Sequence, residues 1–219
     1  MGQVISHREI FFNFVCELNE ADISYYFMRG FSTLPERPDG DIDMVCGLKH
    51  WDAFTEIASR HLFKETVYNY GFAEYCDMMY YPYFTPGEPD HSITNGRFRI
   101  DSYNSLHMNS PYNNFETKWT ISKKFSDHVF DKRVKIESDA HYYIPSIECE
   151  ITLLVLRDIL DLKGKWKQKH INRINSLKPD CKREELTDCV EKVLPKAGAV
   201  VDYIYENNFD QIFNLVMER

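Results

Sequence analysis

The sequence has none of the short signatures that mark many common chemistries. Its six cysteines (Cys16, Cys46, Cys76, Cys149, Cys181 and Cys189) form no C-x-x-C pair. Its eight histidines form no H-x-x-x-H or H-E-x-x-H pair, so no local zinc motif is present and zinc is not expected. The absence of Walker, G-x-G-x-x-G and G-x-S-x-G runs sets aside P-loop, dinucleotide-binding and nucleophile-elbow chemistry. Hydrophobic runs are short as well. The first apolar cluster, residues 10–15, is interrupted by Asn13, so neither a signal peptide nor a membrane span is expected. With no secretory signal, buried reduced thiols are a better reading than disulfides, and the cytoplasm is the expected compartment.

Basic residues are outnumbered by acidic ones, 26 to 34. The formal net charge of −8 argues against long nucleic acid, which calls for a broad basic footprint. One local exception is the run Lys163, Lys165, Lys167, Lys169 and Arg173, which has no acid among its residues.

Hydrophobic residues make up 43% of the chain, enough for a globular protein. A length of 219 residues permits one domain, or a core with a smaller helical lobe. Gly2 and Ser6 satisfy the loose myristoylation pattern M-G-x-x-x-[ST].

Apolar periodicity predicts a helix over residues 7–19, a buried strand over 23–29, and a strand over 41–46. A second helix is expected through Trp51, Phe54, Ala58 and Leu62. Residues 65–84 suggest a hairpin turning near Gly71, and 97–103 alternate as a strand with Arg97, Arg99, Asp101 and Tyr103 on its polar face. Residues 104–140 read as polar and irregular. After Pro145 the pattern is helical, with Ser146 as N-cap and an all-round apolar helix behind it. Further helices are expected from Gly164 to about Leu177, over 183–194 and over 199–217. The expectation is an α+β (α/β) fold: a core over residues 1–140 and a helical part over 141–219.

Asp41 and Asp43 are one residue apart on a predicted strand, so both carboxylates project from one face while Ile42 and Met44 point the other way. Like charges so placed repel unless a cation neutralises them, and such oxygen ligands suit Mg²⁺. A D-x-D pair also occurs on exposed strand ends and in turns. Upstream, a hydrophobic strand runs into Gly30 and a loop holding Ser32, where a small residue lets backbone N–H groups approach a phosphate. Arg29 and Arg99 flank the motif strands, where each can bind phosphate or pair with an acid. On a helix after Gly164, Trp166, His170, Ile174 and Leu177 share one side. Lys165, Lys169 and Arg173 form a solvated stripe away from it, and Lys163 and Lys167 are the preferred phosphate contacts. Asp158 falls on an apolar side of its helix and needs a structural partner, for which lysine or arginine is expected.

The order Met28-Arg29-Gly30-Phe31-Ser32, then Asp41-Ile42-Asp43-Met44, then Ile100-Asp101-Ser102 resembles the signature of nucleotidyltransferases of the DNA polymerase β type. In that family a small pair follows the first strand; here Phe31 separates Gly30 from Ser32. The wording looks most like uncharacterised members associated with polysaccharide biosynthesis. The resemblance implies a mixed sheet flanked by helices, with Asp41, Asp43 and Asp101 holding two Mg²⁺ ions (or Mn²⁺) and acting as catalytic carboxylates. It further implies Gly30 and Ser32 on the phosphates of ATP or another NTP, and transfer of an NMP to a hydroxyl or phosphate acceptor. A sugar or other small molecule suits the acidic chain and Asn104, Asn109, Asn113 and Asn114. Two alternatives stand beside this. One is an inactive module of the same fold that binds a nucleotide or sugar phosphate; the other is a phosphoryl- or phosphocholine-transferring relative.

Overall fold

The computed structural model describes residues 7–32, 34, 40–61, 63–68, 77–81, 83–85, 88–89, 98–109 and 118–217. Ile10, Phe11, Phe14, Val15 and Leu18 recur at helical spacing and lie on helix α1, His7–Glu20. The helix closes without glycine. Asp22 takes a left-handed φ of 52°, and the Ile23 N–H donates to the Leu18 carbonyl at 2.9 Å. A short polar side chain tolerates this conformation better than most.

Strands β1 (Tyr25–Arg29) and β2 (Gly40–Cys46) follow, then helix α2 (Trp51–His61) and strands β3 (Phe63–Tyr68) and β4 (Asp77–Tyr81). A small pair, β5 (Tyr83–Thr85) and β6 (Glu88–Pro89), precedes β7 (Phe98–Tyr103). The main sheet has five strands in the order β1-β2-β7-β4-β3. Only β2 and β7 run parallel; the other neighbours are antiparallel. The expected hairpin is the β3–β4 pair, and Gly71 at its expected turn lies outside the described residues.

One face of this sheet supplies Tyr25, Phe27, Ile42, Met44, Cys46 and Ile100 to a continuous core with α1 and α2. Trp51, Phe54, Ile57 and Ala58 form the buried side of α2, at the i, i+3, i+4 spacing of an amphipathic helix. Leu62, expected on that helix, lies outside the described residues.

Residues 104–140, read as irregular, contain regular structure among their described members. Strands β8 (His107–Asn109) and β9 (Lys118–Thr120) pair, helix α3 spans Lys123–Lys132, and β10 (Val134–Ile136) pairs with β11 (Tyr142–Ile144). Helix α3 has only Phe125 and Val129 as buried residues, a stripe too narrow to register as a helical period. The chain divides into two compact units that interleave in sequence: residues 1–105 with 133–144, and 106–132 with 145–219. The α3 segment therefore groups with the helices and not, as a boundary at residue 140 implies, with the sheet core.

The second unit is built on helix α4, Ile147–Leu160, capped by Ser146, whose hydroxyl accepts from the Cys149 N–H. As its all-round apolar pattern predicts, twelve of its residues are buried. Helices α5 (Gln168–Leu177), α6 (Arg183–Glu191), α7 (Ala197–Glu206) and α8 (Phe209–Met217) complete the unit. The expected single helix over 199–217 is two, broken where Asn207 adopts φ 59°.

Between α4 and α5 the chain turns through Gly164 at φ +76°, where an added Cβ would meet the Phe213 ring at 2.6 Å. Helix α5 begins at Gln168, not directly after Gly164 as the lysine spacing suggested. Arg173 keeps a side chain 40% exposed but is also paired, its guanidinium donating to both Glu150 oxygens at 2.6 and 2.9 Å. The partner of Asp158 is His170, at 2.6 Å, in place of the lysine or arginine expected.

Candidate active site

The sheet register places the motif residues. In the antiparallel pair Arg29 stands opposite Asp43, and in the parallel pair Asp43 stands opposite Asp101. Asp43 therefore occupies the middle strand, with an arginine on one side and an acid on the other. Neighbouring strands are about 4.8 Å apart, so these three positions form one compact row. Ile42, Met44 and Ile100 are fully buried on the opposite, core-packed face.

Asp43 is 8% exposed, and Asp101 is half-buried. Arg29 Nη2 lies 2.5 Å from Asp43 Oδ1, and the Tyr103 hydroxyl donates to the same oxygen at 2.9 Å. A carboxylate this shielded needs such partners, because burial of an unpaired charge costs several kcal/mol. Alternation puts Tyr103 on the polar face of its strand, and the contact with Asp43 adds it to the site. Its position two residues after Asp101 was the available signal, since that spacing returns a side chain to the same face.

The loop after β1 departs from helix and strand at Gly30, whose φ is +76°. Phe31 then turns inward and is 8% exposed, in the core cluster with Leu34 and Phe27. The Leu34 N–H donates to the Phe31 carbonyl at 3.1 Å, closing a turn, and the Tyr142 hydroxyl donates to the Leu34 carbonyl at 2.9 Å. Ser32 remains exposed on this anchored turn. The aromatic residue between Gly30 and Ser32 is thus a core anchor, while the two small residues stay outside the core.

Arg29, Asp43 and Asp101 are brought together by register, and Gly30 and Ser32 follow directly from Arg29. Asp41 lies on β2 in register with Arg99, and the side chains of both fall outside the described set. Lys163 and Lys167 belong to the second unit, on the connection from α4 to α5, and both are exposed. Lys163 has a left-handed φ of 57°, and Lys167 is the N-cap residue of α5. Asn104 is buried at 6% exposure; the side chain of Asn109 and all of Asn113 and Asn114 lie outside the described residues.

The donors at the row are carboxylate and phenol oxygens beside one guanidinium, a chemistry suited to a hard divalent cation and to phosphate oxygens. Among the described residues no helix is long and apolar enough to cross a membrane. No protein-family model matches the chain, and no curated protein matches it.

Proposed function

We propose that the chain is a Mg²⁺-dependent nucleotidyltransferase that moves an NMP from an NTP to a hydroxyl of a small-molecule or carbohydrate acceptor. The observation that carries this reading is the register of Asp43 with Asp101 on adjacent parallel strands, beside a left-handed glycine turn. That arrangement accords with the resemblance in the D-I-D and glycine-loop segments.

Asp43 and Asp101, with Asp41, would hold Mg²⁺, whose contribution is to neutralise the triphosphate and acidify the acceptor hydroxyl. Gly30 and Ser32 offer N–H and O–H donors to the terminal phosphates. Arg29 has more donors than its contact with Asp43 uses, and a guanidinium is suited to grip a phosphate oxygen bidentately. Asp101 takes the hydroxyl proton as the acceptor oxygen bonds to the α-phosphorus; the bond to the pyrophosphate oxygen breaks, and pyrophosphate leaves. Catalysis on these terms is positioning and charge stabilisation.

One observation favours a second reading, a phosphate-binding module without turnover. Arg29 already neutralises the central carboxylate at 2.5 Å, in the manner of a structural ion pair. Incubation with labelled NTPs, Mg²⁺ and a panel of sugar and alcohol acceptors separates the two. Catalysis predicts a nucleotidylated product and pyrophosphate, with Asp43→Asn and Asp101→Asn each reducing turnover about 100-fold or more. Nucleotide binding that ignores Mg²⁺ and is never followed by product supports the module. If the chain neither turns over nor binds nucleotide, both readings fall.

A further inference from the structure

His128 on α3, Cys149 on α4 and Cys189 on α6 come from three separate helices of the second unit. Their ligand atoms all lie within 4.8 Å of one another, and the two sulfurs are 3.6 Å apart. In a tetrahedral zinc site with Zn–S of about 2.3 Å, two sulfurs stand about 3.8 Å apart. A disulfide needs about 2.05 Å, so at 3.6 Å the two sulfurs are not bonded to each other. A disulfide would also leave the convergence of His128 on the pair unexplained.

Both cysteines are fully buried, whereas His128 is half-buried, so the cluster has a solvent-facing side through which an ion can enter. We propose that His128, Cys149 and Cys189 form a binding site for a thiophilic divalent cation, with zinc the best fit, tying α3, α4 and α6 together. The fourth position is left to water or an exogenous donor, as in three-ligand zinc sites.

Charge balance favours the divalent ion. Two thiolates, one dication and a neutral imidazole sum to zero, so the complete site can be buried without a net charge. Binding releases the two thiol protons, and no oxidant or reductant is needed.

Local structure prepares the ligands. Cys149 sits in the first turn of α4, where the helix N-terminus favours a thiolate. The Cys189 thiol donates to Cys149 Sγ at 3.6 Å, so the two sulfurs already face each other across the site.

The site is tested on the reduced, metal-free full chain by titration with Co²⁺ and then Zn²⁺. The expected result is one ion per chain, thiolate-to-cobalt charge-transfer absorption with intense tetrahedral d–d bands, and bleaching of both by Zn²⁺. Cys149→Ser and Cys189→Ser should lose the charge-transfer band. His128→Asn, altered at a half-buried position and checked by circular dichroism, should bind at least about 10-fold more weakly. The wild-type spectrum decides the matter even if a cysteine variant fails to fold. A folded, reduced wild type without thiolate–cobalt absorption would overturn the proposal. So would a His128→Asn chain that binds as tightly as wild type. The readout is independent of nucleotide chemistry, so it stands or falls apart from the transferase reading.

Discussion

Asp158 is fully buried, and one of its oxygens receives its hydrogen bond from His170 Nδ1 at 2.6 Å. The other oxygen has no hydrogen-bond partner among the described residues. A buried carboxylate satisfied at one oxygen depends heavily on the donor it has. Removing one member of such a pair costs about 3 kcal/mol or more, because the remaining charge is stranded in a low-dielectric interior. His170→Ala is therefore expected to lower the unfolding free energy by about that amount in urea titrations, and His170→Asn, which keeps an N–H donor, by less. A loss below about 1 kcal/mol would put His170→Ala in the range of ordinary surface changes and would mean water replaces the imidazole. The sequence indicated that Asp158 needed a partner but not which one. The apolar side of α4 is visible from periodicity, whereas the approach of His170 depends on how the Gly164 turn sets α5.

At the scale of elements, α1 and α2 are joined at their C-terminal ends by polar contacts around Glu17. Arg60 and His61, both in the last turn of α2, donate to its two oxygens, His61 at 2.5 Å. Arg60 first, and His61 second, hold the Glu17 carboxyl below its usual value of 4.5. A folded-state value below the unfolded one means that the unfolded chain binds the extra proton, so the contribution is present above pH 4.5 and fades as the pH falls through the lowered value. The stability difference between wild type and Glu17→Gln should therefore be measurable at pH 7 and vanish in strong acid. The difference should also be modest and shrink with added salt, since Glu17 is 31% exposed. A difference that instead grows on acidification would refute the sign. Elements with a wide apolar stripe, such as α1, α2 and α4, were legible in the sequence, and so were β1, β2 and β7. Helix α3 was not, because two buried residues four positions apart leave no period. The break at Asn207 was missed because a left-handed asparagine can end a helix without glycine or proline to mark it.

At the scale of the whole molecule, the two candidate sites differ in how the sequence encodes them. The carboxylate row sets Asp43, one half of a D-x-D, beside Asp101 on the neighbouring strand, and alternation along each strand pointed to both positions. What the sequence could not give was the parallel register that sets Asp43 against Asp101, and the Arg29 and Tyr103 contacts that follow. The His128–Cys149–Cys189 cluster leaves no spacing signature, since its ligands come from three helices brought together only by packing.

The same interleaving governs where the chain can be cut. A fragment ending at residue 140 loses β11, and with it Tyr142, which packs in the first core and donates to the Leu34 carbonyl. It also keeps Leu106, Met108, Ile121, Phe125 and Val129, which are buried in the intact chain and group with the second unit. Exposed together, those side chains form an apolar patch of the kind soluble monomers avoid. The fragment is therefore expected to bind a hydrophobic dye strongly and to unfold without a cooperative transition, whereas the full chain unfolds cooperatively. Sharp near-ultraviolet dichroism and a cooperative melt for residues 1–140 would show that residues 106–132 fold with the sheet unit after all.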